Sequence, residues 1–330
     1  MSKLSRPEVQ ARSTFPRVQV SWLIKAAFVL LFLYFLTKAN LATLLASLTQ
    51  IALWPLLGSL LLLPFFVWAK SVRWGVILHT MGVTPPSDWQ LSIYYTIGLF
   101  LGGVTPGQFG DLAKGWYLRT DAVPLQLAMT SVVVDRVYDM LIMALLGMLA
   151  LVDYVGLVPP ELLLAAQVGT VALALGSGLL ISQRARHWVA QVLDRGVFKR
   201  LPIKQWLDFR FSLLNRSLPL LLGLTLLSIG LNLLRGWLLF LALGLNVPLF
   251  SVFAVITLIA IFQVLPISIA GFGLRETLLI MTLQRYEYPL ETALSLSLLL
   301  LLLNIEQIVV GFGVSLFFPI PAEQAFYDCS

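Results

Sequence analysis

The stretch Thr105-Pro106-Gly107-Gln108-Phe109-Gly110-Asp111-Leu112-Ala113-Lys114 breaks an apolar segment that is too short to cross a bilayer. A spanning helix needs about 20 apolar residues, whereas runs of about 10–14 more often dip into the membrane and return. Residues 93–104 belong to the short class. A Pro/Gly turn, an acid at a helix start and a second short apolar stretch ending at Arg119 follow. That order predicts a re-entrant hairpin over residues 93–119, with Pro106, Gly107 and Gly110 in its turn. Non-helical backbone is tolerated at membrane depth only where protein buries it or a polar cavity hydrates it. The segment therefore predicts a cavity within the membrane, at which something binds or through which it passes.

Hydrophobic residues make up 59% of the chain and charged residues 12%, more apolar surface than a soluble domain can bury. Spans are expected at about 20–37, 50–69, 127–152, 162–182, 218–234 and 293–318, with a second re-entrant segment at 249–284. Lys3, Arg6, Arg12 and Arg17 precede the first apolar run, and no small-residue cleavage site follows it, so the first helix is expected to be uncleaved with its N-terminus in the cytoplasm. The turn at 156–160 carries no charge, whereas 183–216 holds Arg184, Arg186, Arg195, Lys199, Arg200, Lys204, Arg210 and Arg216. The positive-inside rule places the first outside and the second inside, together with Lys70, Arg73, Lys114 and Arg119. These placements agree only if 93–119 enters and leaves on the cytoplasmic side, and parity then puts the C-terminus inside. Trp188, Val189, Val192, Leu193 and Phe198 intersperse the bases of that linker, as in a helix resting on the inner leaflet.

Shifting the sequence by 162 positions superposes Arg73 on Arg235, Gly82 on Gly244, Pro86 on Pro248, Ile97 on Ile259 and Phe100 on Phe262. Each half then runs through a short apolar stretch, a Pro/Gly break, a short helix and a spanning helix that contains an acid. The second break includes Pro266, Gly271 and Gly273. With three spans per half, the second copy is inverted, a recurring arrangement in secondary transporters. The expected organisation is a cytoplasmic tail at 1–19, one membrane domain at 20–318 and a C-terminal tail at 319–330. Within the domain, repeat 1 covers about 20–153, repeat 2 about 162–318, and the basic linker is 183–216.

Asp135, Arg136 and Asp139 fall inside an apolar helix, where a charge costs about 2.5–3.5 kcal/mol on insertion scales and normally faces inward and pairs. Arg136 can reach Asp139 along the helix. That pairing leaves a spare acid to hold Lys114 or Arg73, or to carry a proton. Glu306, beside Asn304, occupies a similar depth in the last helix. Arg73, at the cytoplasmic end of its span, can snorkel to the interface. Arg235 lies toward the outer side, where the positive-inside rule does not explain it, and anion binding does. Asp111 suits the N-cap of the returning half-helix. Gly271, Gly273, Arg275 and Glu276 open the matching half-helix, whose free N–H groups suit a phosphate or carboxylate.

Catalytic signatures are missing. His79 and His187 are the only histidines and have no spaced partner, so a paired-histidine metal site is not expected. There is no P-loop, nucleophile elbow or dinucleotide fingerprint. Cys329 is the only cysteine, which excludes an internal disulfide framework. No cofactor, metal or nucleic-acid partner is expected.

Arg73-Trp74, Thr105-Pro106-Gly107 through Gly110-Asp111-Leu112-Ala113-Lys114, Asp135-Arg136-Val137-Tyr138-Asp139 and Gly271-Phe272-Gly273-Leu274-Arg275-Glu276, in this order and spacing, resemble the lysylphosphatidylglycerol synthase transmembrane-region family of flippase-like membrane proteins. The resemblance covers about 20–318. In two-domain members the membrane part is implicated in moving aminoacylated phosphatidylglycerol between leaflets, and a separate soluble domain makes that lipid. This chain stops after its last span, so the synthase activity is not carried over.

The combined expectation is an all-α polytopic membrane protein with about six spans and two re-entrant hairpins in two inverted repeats. Its function would be to move a polar or anionic lipid between leaflets of the bacterial inner membrane, downhill or coupled to an ion. Lys114, Arg235 and Arg275 would bind a headgroup phosphate near the re-entrant tips, with Asp135, Asp139, Glu276 and Glu306 organising those bases or holding an ammonium group. The alternatives are a membrane-embedded transferase or phosphatase for a lipid-linked substrate, with Asp111 or Asp135 as base, and a non-transporting partner of a lipid-modifying enzyme.

Overall fold

The computed structural model describes residues 34, 37–38, 40–119, 123–181, 214–264 and 273–318. Almost all of the expected span at 20–37, the linker through 213, the turn carrying Pro266 and Gly271, and the tail from 319 lie outside them. Among the described residues all regular structure is helical, apart from one isolated bridge between Val155 and Val158.

The helices are α1 (Leu41–Thr49), α2 (Leu53–Leu61), α3 (Leu63–Thr80), α4 (Asp88–Val104), α5 (Lys114–Leu118), α6 (Leu125–Ala150), α7 (Pro160–Ile181), α8 (Leu214–Ala242), α9 (Leu249–Val264), α10 (Leu274–Gln284) and α11 (Leu290–Phe317). A 3-10 segment, Pro106–Ala113, links α4 to α5. Among the described residues four stretches are long and apolar enough to cross a membrane: Leu53–Thr80, Leu125–Tyr154, Ser217–Ala242 and Leu290–Phe317. The second expected span, which was to end at 69, continues instead to Thr80, and the one expected to end at 234 reaches Ala242. Both extensions carry buried arginine, Arg73 and Arg235, each paired with an acid inside the protein. A hydropathy window stops at such a residue, but the helix does not.

α4 has 17 residues and α9 has 16, so each is about 25 Å long, short of the roughly 30 Å hydrocarbon core. α4 starts at a capping box in which the Ser87 hydroxyl accepts from Gln90 N–H while the Gln90 side chain accepts from Ser87 N–H. It stops at Thr105, which precedes Pro106 and is extended (φ −106°, ψ 140°). The chain then folds back along the helix it has just left. Gly107 (φ 64°) and Gln108 (φ 56°) reverse its direction, and Thr105 Oγ1 accepts from Gly110 N–H at 2.6 Å. A Cβ on Gly110 would collide with the Leu101 carbonyl, and one on Gly98 would come within 2.7 Å of Asp111 Oδ1. Glycine at both positions lets the returning arm lie against α4.

The order α3, α4, α5, α6 recurs as α8, α9, α10, α11 at nearly constant offset. α3 ends at Thr80 and α8 at Ala242, and each closes with a left-handed glycine, Gly82 (φ 78°) and Gly244 (φ 65°). Gly82 and Val83 N–H donate to His79 and Leu78, while Gly244 and Leu245 N–H donate to Leu241 and Phe240. This is the same C-terminal motif twice, 162 positions apart. The α2–α3 rod lies antiparallel to α8, because Ala52, Ser59 and Arg73 meet Ala242, Arg235 and Thr225 in reversed order. Two further contacts are reciprocal. α4 packs on α11 where Gly311 meets Phe100, and α9 packs on α6 where Gly147 meets Ile261.

Candidate functional site: a buried ion network beside a central cavity

α6 places Asp135 and Asp139, four apart, on one face and Arg136 on another, and neighbouring elements meet each of them. Asp135 is fully buried. Its Oδ1 accepts from Arg73 Nε at 2.9 Å and Nη2 at 2.6 Å, and its Oδ2 accepts from Lys114 Nζ at 2.9 Å and the Tyr95 hydroxyl at 3.0 Å. Asp139 Oδ1 accepts from Lys70 Nζ at 2.5 Å and Arg73 Nη1 at 2.6 Å, while Oδ2 accepts from Arg73 Nη2 at 3.0 Å. Lys114 also lies 3.0 Å from Asp111 Oδ2 and 3.7 Å above the centre of the Tyr95 ring. Trp74, whose Nε1 donates to Ser131 at 2.9 Å, forms another wall around that ammonium group.

Several expectations are corrected here. Arg136 does not pair with Asp139. It projects away, donating from Nε to Asp111 at 2.9 Å and from Nη1 to Gln108 at 2.8 Å, so it ties α6 to the turn of the hairpin. Arg73 does not snorkel, being fully buried between two carboxylates. Asp111 caps no helix. It sits within the 3-10 segment, and α5, which begins at Lys114, has Ala113 at its N-cap and no side-chain cap. The imbalance of charge is also reversed among the described residues, because Lys70, Arg73, Lys114 and Arg136 face Asp111, Asp135 and Asp139. The cluster holds one more base than acid.

The other expected residues lie apart from this network. The buried Arg235 donates to the Ser59 carbonyl at 2.9 Å and pairs with Glu306 of α11. Arg275, Glu276 and Ser297 form a closed buried triangle, in which Arg275 Nη2 reaches Glu276 Oε1 at 2.8 Å and Nε reaches Ser297 at 2.8 Å. Gly273 N–H, at the start of α10, donates to Glu276 Oε2 at 2.6 Å. The helix terminus expected to receive a phosphate is therefore occupied by its own carboxylate.

A cavity of about 300 Å³ lies between α3, α4, α6, α8, α9 and α11. Of the expected site residues, Arg136 and Asp139 line it, whereas Lys114, Arg235 and Arg275 do not. The lining residues that sequence reasoning missed are Lys70 and Gln108, which meet Asp139 and Arg136, and the carboxamides Asn232, Gln263, Asn304 and Gln307. A signal for two of them was present. Lys70 and Asn232 are 162 apart, as are Tyr95 and Thr257, and all four line the cavity. Among the described residues no group of His, Cys, Asp and Glu is arranged to hold a metal ion.

Residues 22–311 match the family described as lysylphosphatidylglycerol synthase TM region. The chain belongs to that family. A UPF0104 membrane protein of Methanocaldococcus jannaschii, MJ1595, is 24% identical over 249 residues, covering 69% of this chain and 74% of the archaeal one. The matched region of this lysylphosphatidylglycerol synthase TM-region member contains the hairpin, the ion network and the cavity.

Proposed function

We propose that the protein is a flippase-like transporter that moves an anionic lipid between leaflets of the inner membrane, with the headgroup held in the central cavity and the acyl chains left in lipid. The observation that carries this reading is the joining of two features: a buried ion network with an excess base, and an otherwise largely apolar cavity shared by the two helix series. A cavity lined mainly by apolar residues with a few convergent polar groups is the usual form of a binding site. A net positive wall at membrane depth suits an anion, which pays less to leave water where charge awaits it.

The recurrence of the helix order supports the transport part of the proposal, in which the two series are inverted halves. Equivalent helices α3 and α8 run antiparallel, as an axis in the membrane plane requires, and the α4–α11 contact is exchanged for α9–α6 under the same operation. That Lys70/Asn232 and Tyr95/Thr257, each 162 apart, line one cavity supports a site between the halves, where rocking one half against the other exposes it alternately to the two leaflets. In this arrangement the termini and the basic linker are cytoplasmic. An enzymatic role for Asp135 would require a carboxylate free to take a proton, whereas both its oxygens are already engaged by Arg73, Lys114 and Tyr95.

The test is leaflet exchange of headgroup-labelled phospholipids in proteoliposomes containing the purified protein. Protein-dependent exchange of intact anionic lipid is expected. A new chemical product, or no exchange above protein-free liposomes, overturns the proposal.

A further inference from the structure

Within that lipid-site reading, we infer that the ligand is the phosphate ester of an uncharged, hydroxyl-rich alcohol, such as a glycerol or sugar phosphate, and that headgroups bearing an ammonium group are disfavoured. The cavity lining offers two kinds of polar group. Among the described residues Lys70 Nζ donates only to Asp139, and Arg136 Nη2 has no protein partner. Both side chains line the cavity, so both retain N–H donors for an anion.

The same cavity is lined by four carboxamides, Asn232 on α8, Gln263 on α9, and Asn304 and Gln307 on α11. Each is half-buried, and none makes a side-chain hydrogen bond to a described residue. A carboxamide offers two donors and a carbonyl acceptor. A phosphate, which only accepts, satisfies the donors alone. A hydroxyl donates and accepts, so a polyol is the small uncharged group that satisfies both sides of several carboxamides at once. An ammonium group finds no carboxylate to meet it. Among the described residues Asp139 is the one acid lining the cavity, and both its oxygens already accept from Lys70 or Arg73. Another cation placed there would face Lys70 and Arg136 as like charges.

The experiment measures apparent Kd for the full-length protein in mixed micelles. The lipids are phosphatidylglycerol (phosphate with two hydroxyls), phosphatidic acid (phosphate alone) and phosphatidylethanolamine (phosphate with ammonium), and soluble glycerol 1-phosphate is titrated as competitor. Phosphatidylglycerol is expected to bind about tenfold more tightly than either other lipid, the scale of one or two well-made hydrogen bonds. In the double variant Asn232→Leu/Asn304→Leu that advantage is expected to vanish while phosphatidic acid affinity stays unchanged, which also reports an intact fold. Equal binding of phosphatidylethanolamine, or an advantage that survives the double substitution, overturns the inference. Competition by glycerol 1-phosphate at concentrations comparable to the lipid supports the headgroup chemistry but assigns it to a soluble source, and this removes the transport proposal. Headgroup selectivity without leaflet exchange likewise supports the inference and refutes transport. Leaflet exchange blind to the headgroup does the reverse.

Discussion

Arg73 and Arg235 stand 162 positions apart and reach across the same antiparallel helix pair, Arg73 Nη1 to Thr225 Oγ1 at 3.0 Å and Arg235 Nε to the Ser59 carbonyl at 2.9 Å. Their anionic partners then differ. Arg73 meets two aspartates of α6, whereas Arg235 meets the single Glu306 of α11. The two halves thus share a backbone plan but not a charge plan, and the cations lining the cavity, Lys70 and Arg136, belong to the first half.

Asp135 and Asp139 are predicted to separate structure from activity. Asp135→Asn removes the carboxylate that holds Arg73 and Lys114, leaving two bases fully buried with one fewer counter-charge. Breaking such a buried pair from one side costs about 3–5 kcal/mol, so folded yield and thermal stability should fall sharply. Asp139 borders the cavity, and its loss leaves Arg73 on Asp135. Asp139→Asn leaves only Lys70, at the cavity wall, without its acid, so it should lose less folded yield than Asp135→Asn while changing lipid exchange. The pair of measurements is fluorescence-detected size-exclusion yield and proteoliposome exchange; equal yields for the two variants would contradict the assignment.

Lys70→Gln is expected to keep the fold, because Asp139 retains Arg73 at 2.6 Å. It removes one of the two cationic donors left for a ligand. Hydrogen bonds to charged groups contribute about 1.5–3 kcal/mol, so affinity for an anionic lipid should drop by roughly one to two orders of magnitude. Arg136→Lys should resemble it while also loosening the hairpin, since a lysine cannot serve Asp111 and Gln108 together through a planar fork. Unchanged lipid affinity in both variants would move the anion site elsewhere.

Much of the fold was legible because it is written in lengths. Apolar runs and the Pro/Gly break at 105–110 marked the helices and the hairpin turn, and the Arg, Gly and Pro matches at constant spacing marked the internal correspondence that the Gly82 and Gly244 motifs repeat in the backbone. The partners of the charges were less legible. Spacing on one helix suggested Arg136 with Asp139, yet α6 is surrounded, and Arg73 and Lys70 arrive from α3 and Lys114 from α5. The carboxamides were overlooked because an isolated Asn or Gln in an apolar helix carries no sequence pattern of its own. Only the shared cavity relates them.

Gly110→Ala is predicted to abolish folded protein. The added Cβ would strike the Leu101 backbone carbonyl, and neither strand of the hairpin can retreat while Thr105 Oγ1 binds Gly110 N–H. Gly223→Ala is the control. Its Cβ meets nothing within 4 Å, and alanine favours the helix by about 1 kcal/mol over glycine. Membrane-extracted yield of the two variants decides this, and a well-folded Gly110→Ala protein would show that the hairpin does not need this close approach.

Arg235 and Glu306 form the last test, in which the structure reverses an expectation from sequence. An arginine free to read lipid phosphate would tolerate Arg235→Gln with little loss of stability. Instead Arg235 is fully buried and paired with Glu306, whose side chain is only 16% exposed. Either single change strands a charge: Glu306→Gln leaves the more deeply buried Arg235 without its acid, and Arg235→Gln leaves Glu306 without its base. Both should lower thermal stability, with Glu306→Gln the more damaging because the stranded group is the more buried one. The double variant Arg235→Gln/Glu306→Gln should recover most of the loss, since removing both members of a buried pair is often close to neutral. A double-mutant cycle on the thermal midpoint gives the coupling directly. Additive losses would mean that the pair is not an isolated structural lock and that Arg235 holds something other than Glu306.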